Sequence, residues 1–173
     1  RGSGSHHLTI SQNQIINKNS VGIRLNQYCN YALIDSNTIT SNSGGIRLHD
    51  YSLYVTIQNN TISNNDDYGI KTNDSNNYLT IKNNIISNHD NTGINLRYSN
   101  NSSIIENNTI TDNGYQGIYL NGDNEDITIQ NNTITNHTQA GIYFNYDNYG
   151  DIIGNLIYDN GEYGLRLNST FYG

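Results

Sequence analysis

The stretch Val55-Thr56-Ile57-Gln58-Asn59-Asn60-Thr61-Ile62-Ser63-Asn64-Asn65-Asp66-Asp67-Tyr68-Gly69-Ile70-Lys71-Thr72 decides the fold. Three runs in it, Val55-Thr56-Ile57, Thr61-Ile62-Ser63 and Ile70-Lys71-Thr72, alternate between inward and outward positions, the period of a half-buried strand. Gln58-Asn59-Asn60 and the loop Asn64 to Tyr68 separate the runs, and Asn73 to Asn77 turn the chain toward Tyr78-Leu79, where the pattern restarts. Working outward, the unit is written seven times. Its Gly-aliphatic pairs are Gly22-Ile23, Gly45-Ile46, Gly69-Ile70, Gly93-Ile94, Gly117-Ile118, Gly141-Ile142 and Gly164-Leu165, spaced by 23 or 24 residues. Self-similarity at this period means stacked units whose core is continuous only when neighbours are present.

Each coil therefore gives three short strands with corners between them, and the aliphatic positions stack in columns. The first runs from Ile10 through Ile34, Ile57, Ile81, Ile105 and Ile129 to Ile153; the second runs from Ile15 to Ile157; the third follows the glycines. Single-residue deletions fall only before Gly45 and near Gly154, at corners, because a slip inside a strand would reverse its faces. A further column, Asn13, Asn37, Asn60, Asn84, Asn108, Asn132 and Asn155, marks a sharp corner. Asn tolerates the left-handed backbone that such a corner requires, and its amide can bond to the amide one coil above. The Gly column calls for positive φ or a close backbone approach.

Composition narrows the function classes. The net charge is −7 with only 13% charged residues, and the eight basic residues look scattered, which argues against a nucleic-acid partner. Asn contributes 34 residues and Tyr 15, a balance suited to an extracellular or cell-surface protein. One cysteine, Cys29, excludes an internal disulfide and reads as a small turn residue. No run reaches the length of a membrane-spanning helix, so no membrane insertion is expected. The sequence has no Met, which fits a processed or excised piece. Residues 1–7 read as a flexible arm, linker or tag remnant, and residues 8–173 as one repeat domain.

The motif N-N-T-I-[ST]-x-N followed by G-I stands at Asn59-Asn60-Thr61-Ile62-Ser63-Asn64 with Gly69-Ile70. It stands again at Asn107-Asn108-Thr109-Ile110-Thr111-Asp112 with Gly117-Ile118. It resembles the repeat of pectate-lyase-like, NosD-like and carbohydrate-binding and sugar-hydrolysis β-helix proteins. The resemblance covers about Leu8 to Leu167 and implies a right-handed parallel β-helix of about seven coils with three parallel sheets. It implies no single function, since the repeat serves lyases, epimerases, adhesins, surface layers and tailspikes.

Outward positions are the ones free to act. On the strands after the glycines the outward column runs Arg24, Arg47, Lys71, Asn95, Tyr119, Tyr143 and Arg166. Cations meeting uronates and Tyr faces stacking on sugar rings make Arg24, Arg47, Lys71, Tyr119 and Tyr143 candidates for binding an acidic polysaccharide. Surface pairing with Asp50 and Asp74 is the plain alternative. No catalytic cluster, phosphate loop, metal motif or cofactor requirement is legible, and one Cys with five scattered His argues against soft-metal handling. A T-x-[TS] ladder at Thr38/Thr40, Thr61/Ser63, Thr109/Thr111 and Thr133/Thr135 also has the look of an ice-binding array. No capping helix is legible at either end, and Tyr158, Tyr163, Phe171 and Tyr172 crowd the last coil as candidates for an assembly interface. The expectation is therefore a structural solenoid that self-associates end to end as a stalk, filament or surface layer. A polysaccharide lyase or epimerase β-helix, its active site incomplete in this chain, is the alternative.

Overall fold

The computed structural model describes residues 7–16, 19–146 and 149–168. Among the described residues twenty-one strands form three seven-stranded parallel sheets, and each rung contributes one strand to every sheet. In the third rung these are Thr56–Gln58, Thr61–Ser63 and Ile70–Thr72, three residues each, which is why the apolar runs in the sequence are so short. Parallel pairing joins each strand to its copy one repeat later: Ile34 to Ile57, Ile57 to Ile81, Ile81 to Ile105 and Ile105 to Ile129. The architecture is the right-handed parallel β-helix that the repeat implies.

The core is a stack of isoleucines. Ile57, Ile62, Ile70, Ile81, Ile86 and Ile94 are wholly buried, each against its own copies above and below. Identical β-branched side chains at one rung spacing, about 4.8 Å, leave little void. The first column ends differently from expectation. Ile129 pairs with Ile152, not Ile153, and Ile153 is 54% exposed while Ile152 packs on the core. The last repeat is 23 residues long at this point, so the inward position shifts by one.

The corners also correct the expectation. The left-handed residue is the one before each ladder Asn: Ser36, Asn59, Asn83, Asn107 and Asn131 have φ of 55–56°. The ladder Asn itself turns inward and bonds along the stack. The Asn84 amide nitrogen donates to Asn108 Oδ1 at 3.0 Å and to the carbonyls of Ile57 and Lys82 at 2.9 Å, while Asn84 Oδ1 accepts from the Asn60 amide groups. The two requirements, left-handed backbone and buried amide, are thus divided between neighbouring residues.

A second ladder occupies the next corner, five residues on: Asn42, Asn65, His89, Asn113, His137 and Asn160. Asn42 bonds to Asn65 through its Nδ2 at 3.0 Å. Where histidine stands, its Nδ1 takes the acceptor's place, receiving the backbone N–H of Asn65 and of Asn113 at 3.1 Å. Both rings are 1% exposed, and burial pulls their pKa down to about 4. The glycine column has negative φ at these positions and answers to close approach. A Cβ on Gly69 would lie 2.6 Å from both the carbonyl oxygen of Gly93 and Cγ2 of Ile86.

Residues 1–6 lie outside the described residues. His7 already joins the stack, its N–H donating to the Asn30 carbonyl at 3.1 Å and its ring lying 5.0 Å from that of Tyr31. No described helix is long and apolar enough to cross a membrane.

Candidate functional site

The strands after the glycines place their outward side chains in two parallel columns on the third sheet. Register carries Arg24 to Arg47, Lys71, Asn95, Tyr119, Tyr143 and Arg166 in the first. Two residues further along each strand stand Asn26, His49, Asn73, Arg97, Asn121, Asn145 and Asn168. The basic residues are therefore not scattered. Of the six that are described, Arg24, Arg47, Lys71, Arg97 and Arg166 share this face, and only Lys82 lies elsewhere.

Their pairing departs from the surface ion pairs expected with Asp50 and Asp74. Among the described residues only two ion pairs form, Lys71–Asp67 and Arg166–Glu162, both at 4.0 Å and both reaching back along their own chain segment. Exposed pairs at this distance contribute little. Arg24, Arg47 and Arg97 have no carboxylate of a described residue within 4.0 Å. Arg24 Nη2 instead donates to His49 Nε2 at 2.7 Å, and Arg47 Nη2 to Asn73 Oδ1 at 3.4 Å. Burial first, then the charges of Arg24 and Arg47, hold the His49 pKa below its ordinary value, which keeps the ring neutral and able to accept. Burial likewise lowers the pKa of Lys71, with Asp67 opposing.

The aromatic half of the column is real, but its ring faces are largely spent within the protein. Tyr119 and Tyr143 stack at 5.2 Å, and the Arg166 guanidinium covers Tyr143 at 4.7 Å. Asn145 Nδ2 donates to the Tyr119 hydroxyl at 3.1 Å. The tyrosines therefore offer edges and hydroxyls more than open faces, because rings repeating at the rung spacing stack on one another before they meet a ligand.

Beside the cations lies an open cleft of about 280 Å³ lined by Arg47, Asp50, Asn73, Asp74, Arg97 and Tyr98. It gathers two guanidiniums, two carboxylates and a phenol from three successive rungs. Tyr98 has φ of 54°, and its ring occupies space left by Gly122: a Cβ on Gly122 would sit 2.4 Å from Tyr98 Cδ1. Arg97 lies 5.4 Å from the centre of that ring. Sequence reading placed Asp50 and Asp74 near the cations but did not bring them together with Arg97 and Tyr98. Their shared signal was position: each follows the Gly-aliphatic pair by a fixed three or four residues.

The remaining candidates do not converge. Tyr158 stands outward on the second sheet and Tyr163 opens the last strand of the third, next to Arg166. Phe171 and Tyr172 lie outside the described residues. In the last rung Leu165 and Leu167 are 43% and 64% exposed, whereas their equivalents Ile94 and Leu96 are wholly buried. The threonine ladder does stand in register on the second sheet, with Ile85 interrupting it.

Residues 55–172 match the sequence profile described as periplasmic copper-binding protein (NosD), and residues 1–104 match that of the right handed beta helix region. No curated protein matches the chain. The periplasmic alginate epimerase AlgG superposes with a TM-score of 0.70 at 16% identity, over 87% of this chain and 48% of its own. The A-module of mannuronan C-5 epimerase AlgE4 from Azotobacter vinelandii gives 0.65 at 16%, over 97% of this chain and 58% of its own. The enzymatically active domain of tailspike protein 2 from bacteriophage CBA120 gives 0.66 at 13%, over 97% and 34%. These identities carry the fold alone, and the chain spans between 34% and 58% of the length of these structures.

A copper site would need several His or Cys donors converging on one point. Among the described residues no three His, Cys, Asp or Glu side chains converge. Cys29 is buried at a corner, and burial raises its pKa. His89 and His137 commit Nδ1 to the ladder. These donors do not fit a copper site.

Proposed function

The chain belongs to the NosD and right-handed β-helix families, and on that fold we propose that its third sheet binds an acidic polysaccharide laid along the helix axis. The observation that supports this most is the gathering of five of the six described basic residues on one face, three of them arginines without a carboxylate partner. A polyuronate carries one carboxylate per sugar, and the face offers an outward side chain at each rung, about every 4.8 Å. Arginine suits this ligand because its planar fork meets a carboxylate with two parallel hydrogen bonds. AlgG, AlgE4 and the tailspike domain are described as epimerases and an enzymatically active domain, which favours a carbohydrate-active role over a purely structural one.

The cleft at Arg47 and Arg97 is where chemistry on such a chain would take place. A guanidinium that neutralises the uronate carboxylate acidifies the adjacent C5–H, and loss of that proton is the shared first step of elimination and of C5 inversion. Asp50, Asp74 and Tyr98 are the proton-accepting groups that line the cleft. The polymers concerned lie outside the cytoplasm, and so, on this reading, does the protein.

The test is binding of polygalacturonate and of alginate to the wild-type protein and to Arg47→Ala combined with Tyr119→Ala. The double variant should bind at least tenfold more weakly, with neutral glucan ignored by both. Equal binding by the two proteins removes the cationic face from the reading. Solvent deuterium entering C5, or absorbance from a new C4–C5 double bond, would separate an epimerase from a lyase. A second reading, end-on stacking of rungs into a filament, draws on the exposure of Leu165 and Leu167. Sedimentation that stays monomeric across a hundredfold concentration range would remove it.

A further inference from the structure

Tyr68, which the repeat pattern assigns to a loop, lies at the centre of the cationic face. Its ring lies over Gly44 of the preceding rung, where a Cβ would come within 2.8 Å of Cζ and 3.0 Å of the hydroxyl. The Lys71 ammonium stands 5.0 Å from the ring centre. Tyr68 is 4% exposed, and among the described residues neither its hydroxyl nor the buried Nε of Arg47 makes a hydrogen bond of full geometry, although the Arg47 side chain lies close enough to the phenol to act on it. Burial raises the phenol's pKa, so the hydroxyl keeps its proton, while the charges of Arg47 and Arg24 act on it from nearby. Buried donors left unpaired are costly, and folds retain them mostly where something else completes them.

We propose that Tyr68 Oη–H and Arg47 Nε–H form a subsite for one free carboxylate, whose two oxygens accept from the two donors while Arg24 and Lys71 supply charge. The proposal rests on the polyuronate reading above and adds the group that is recognised: a planar carboxylate, as opposed to its methyl ester or a sulfate ester. A methyl ester lacks the negative charge and puts a methyl group on one of the two oxygens. A sulfate ester presents its oxygens tetrahedrally, out of the plane that a guanidinium edge and one hydroxyl define. Lys71 admits the ligand by a rotamer change of its long unbranched stem.

Calorimetric titration with a defined oligogalacturonate, its methyl ester and a sulfated oligosaccharide tests this on the wild type, Tyr68→Phe and Arg47→Lys, with thermal midpoints as the folding control. Both variants should lose about tenfold for the free acid, as expected on losing a hydrogen bond to a charged group, and stay within about twofold of wild type for the other two ligands. Tyr68→Phe binding the free acid as wild type does would overturn the subsite and leave the polyuronate reading standing. So would an equal loss toward all three ligands. Failure of the wild type to bind the free acid removes both. If Tyr68→Phe melts early, Arg47→Lys decides by the same criteria.

Discussion

Replacing His89 and His137 together by Asn, the residue at Asn42, Asn65, Asn113 and Asn160 of the same ladder, should exchange stability near neutrality for stability in acid. In the folded chain each Nδ1 accepts a backbone N–H at 3.1 Å, and His137 Nε2–H donates to the Ile110 carbonyl at 3.2 Å. A proton added at Nδ1 would set two donors against each other inside the core. Desolvation holds both pKa values at about 4, against 6.5 for the free group. The sign follows directly. Above 6.5 neither state binds the proton and the histidines carry no penalty. As pH falls from 6.5 to 4 the unfolded chain takes up protons that the fold refuses, so stability is lost across that window. At roughly 1.4 kcal/mol per pH unit, the loss between about pH 7.5 and about pH 4.5 is about 2.5 kcal/mol for each histidine.

Asn has no proton to gain in this range and supplies the acceptor through Oδ1, as Asn65 does for Asn42. Its smaller side chain leaves a void, costing on the order of 1 kcal/mol at each site. Urea midpoints followed by circular dichroism at the two pH values should therefore cross, with wild type ahead near neutrality and the double variant ahead in acid. Carboxylates titrate equally in both proteins and cancel in the difference. Parallel losses of stability in the two proteins would falsify the assignment of the histidines as neutral ladder members.

Three further outcomes follow from the geometry. Asn84→Ala removes an amide with five hydrogen bonds and orphans buried backbone groups on two rungs, so urea denaturation should show a loss of about 3 kcal/mol or more. Gly93→Ala brings a Cβ within 2.7 Å of the Gly117 carbonyl oxygen and should lower the thermal midpoint sharply, whereas Gly164→Ala, whose nearest neighbour would be 3.6 Å away, should leave it almost unchanged. Polyuronate binding by the arginine face should weaken at least tenfold as salt rises from about 0.05 M to about 0.5 M, because exposed charges are screened over this range; a salt-independent affinity in a titration series would point to a ligand held by other forces.

Much of the rod is legible residue by residue because each inward position recurs in every coil. Ile57, Ile62 and Ile70 announce themselves through period-two alternation, and a 24-residue step allows them only one register. Even so, the assignment of Ile153 to the core failed where one corner lost a residue, since nothing local distinguishes it from Ile152. The candidate site was half legible. Arg24, Arg47, Lys71, Tyr119 and Tyr143 were correctly placed in one column, because strand alternation alone fixes which side chains face out. Tyr68 was missed because loop residues carry no periodic signal of orientation, and its position depends on the absence of a side chain at Gly44, 24 residues away.

The repeat, the three strands per rung, the Asn ladder and the outward column all follow from alternation and spacing along the chain. What those outward groups do to one another follows only from how the rungs stack. Stacking at the rung spacing turns Tyr119 and Tyr143 toward each other and puts Arg166 on a ring. The same stacking gathers Arg47 and Arg97 into a cleft with Asp50 and Asp74. Among the described residues it leaves two buried donors, Tyr68 Oη and Arg47 Nε, without a hydrogen bond of full geometry. The contacts run between side chains a whole repeat or more apart, and their distances depend on how the rungs stack, which no local pattern encodes.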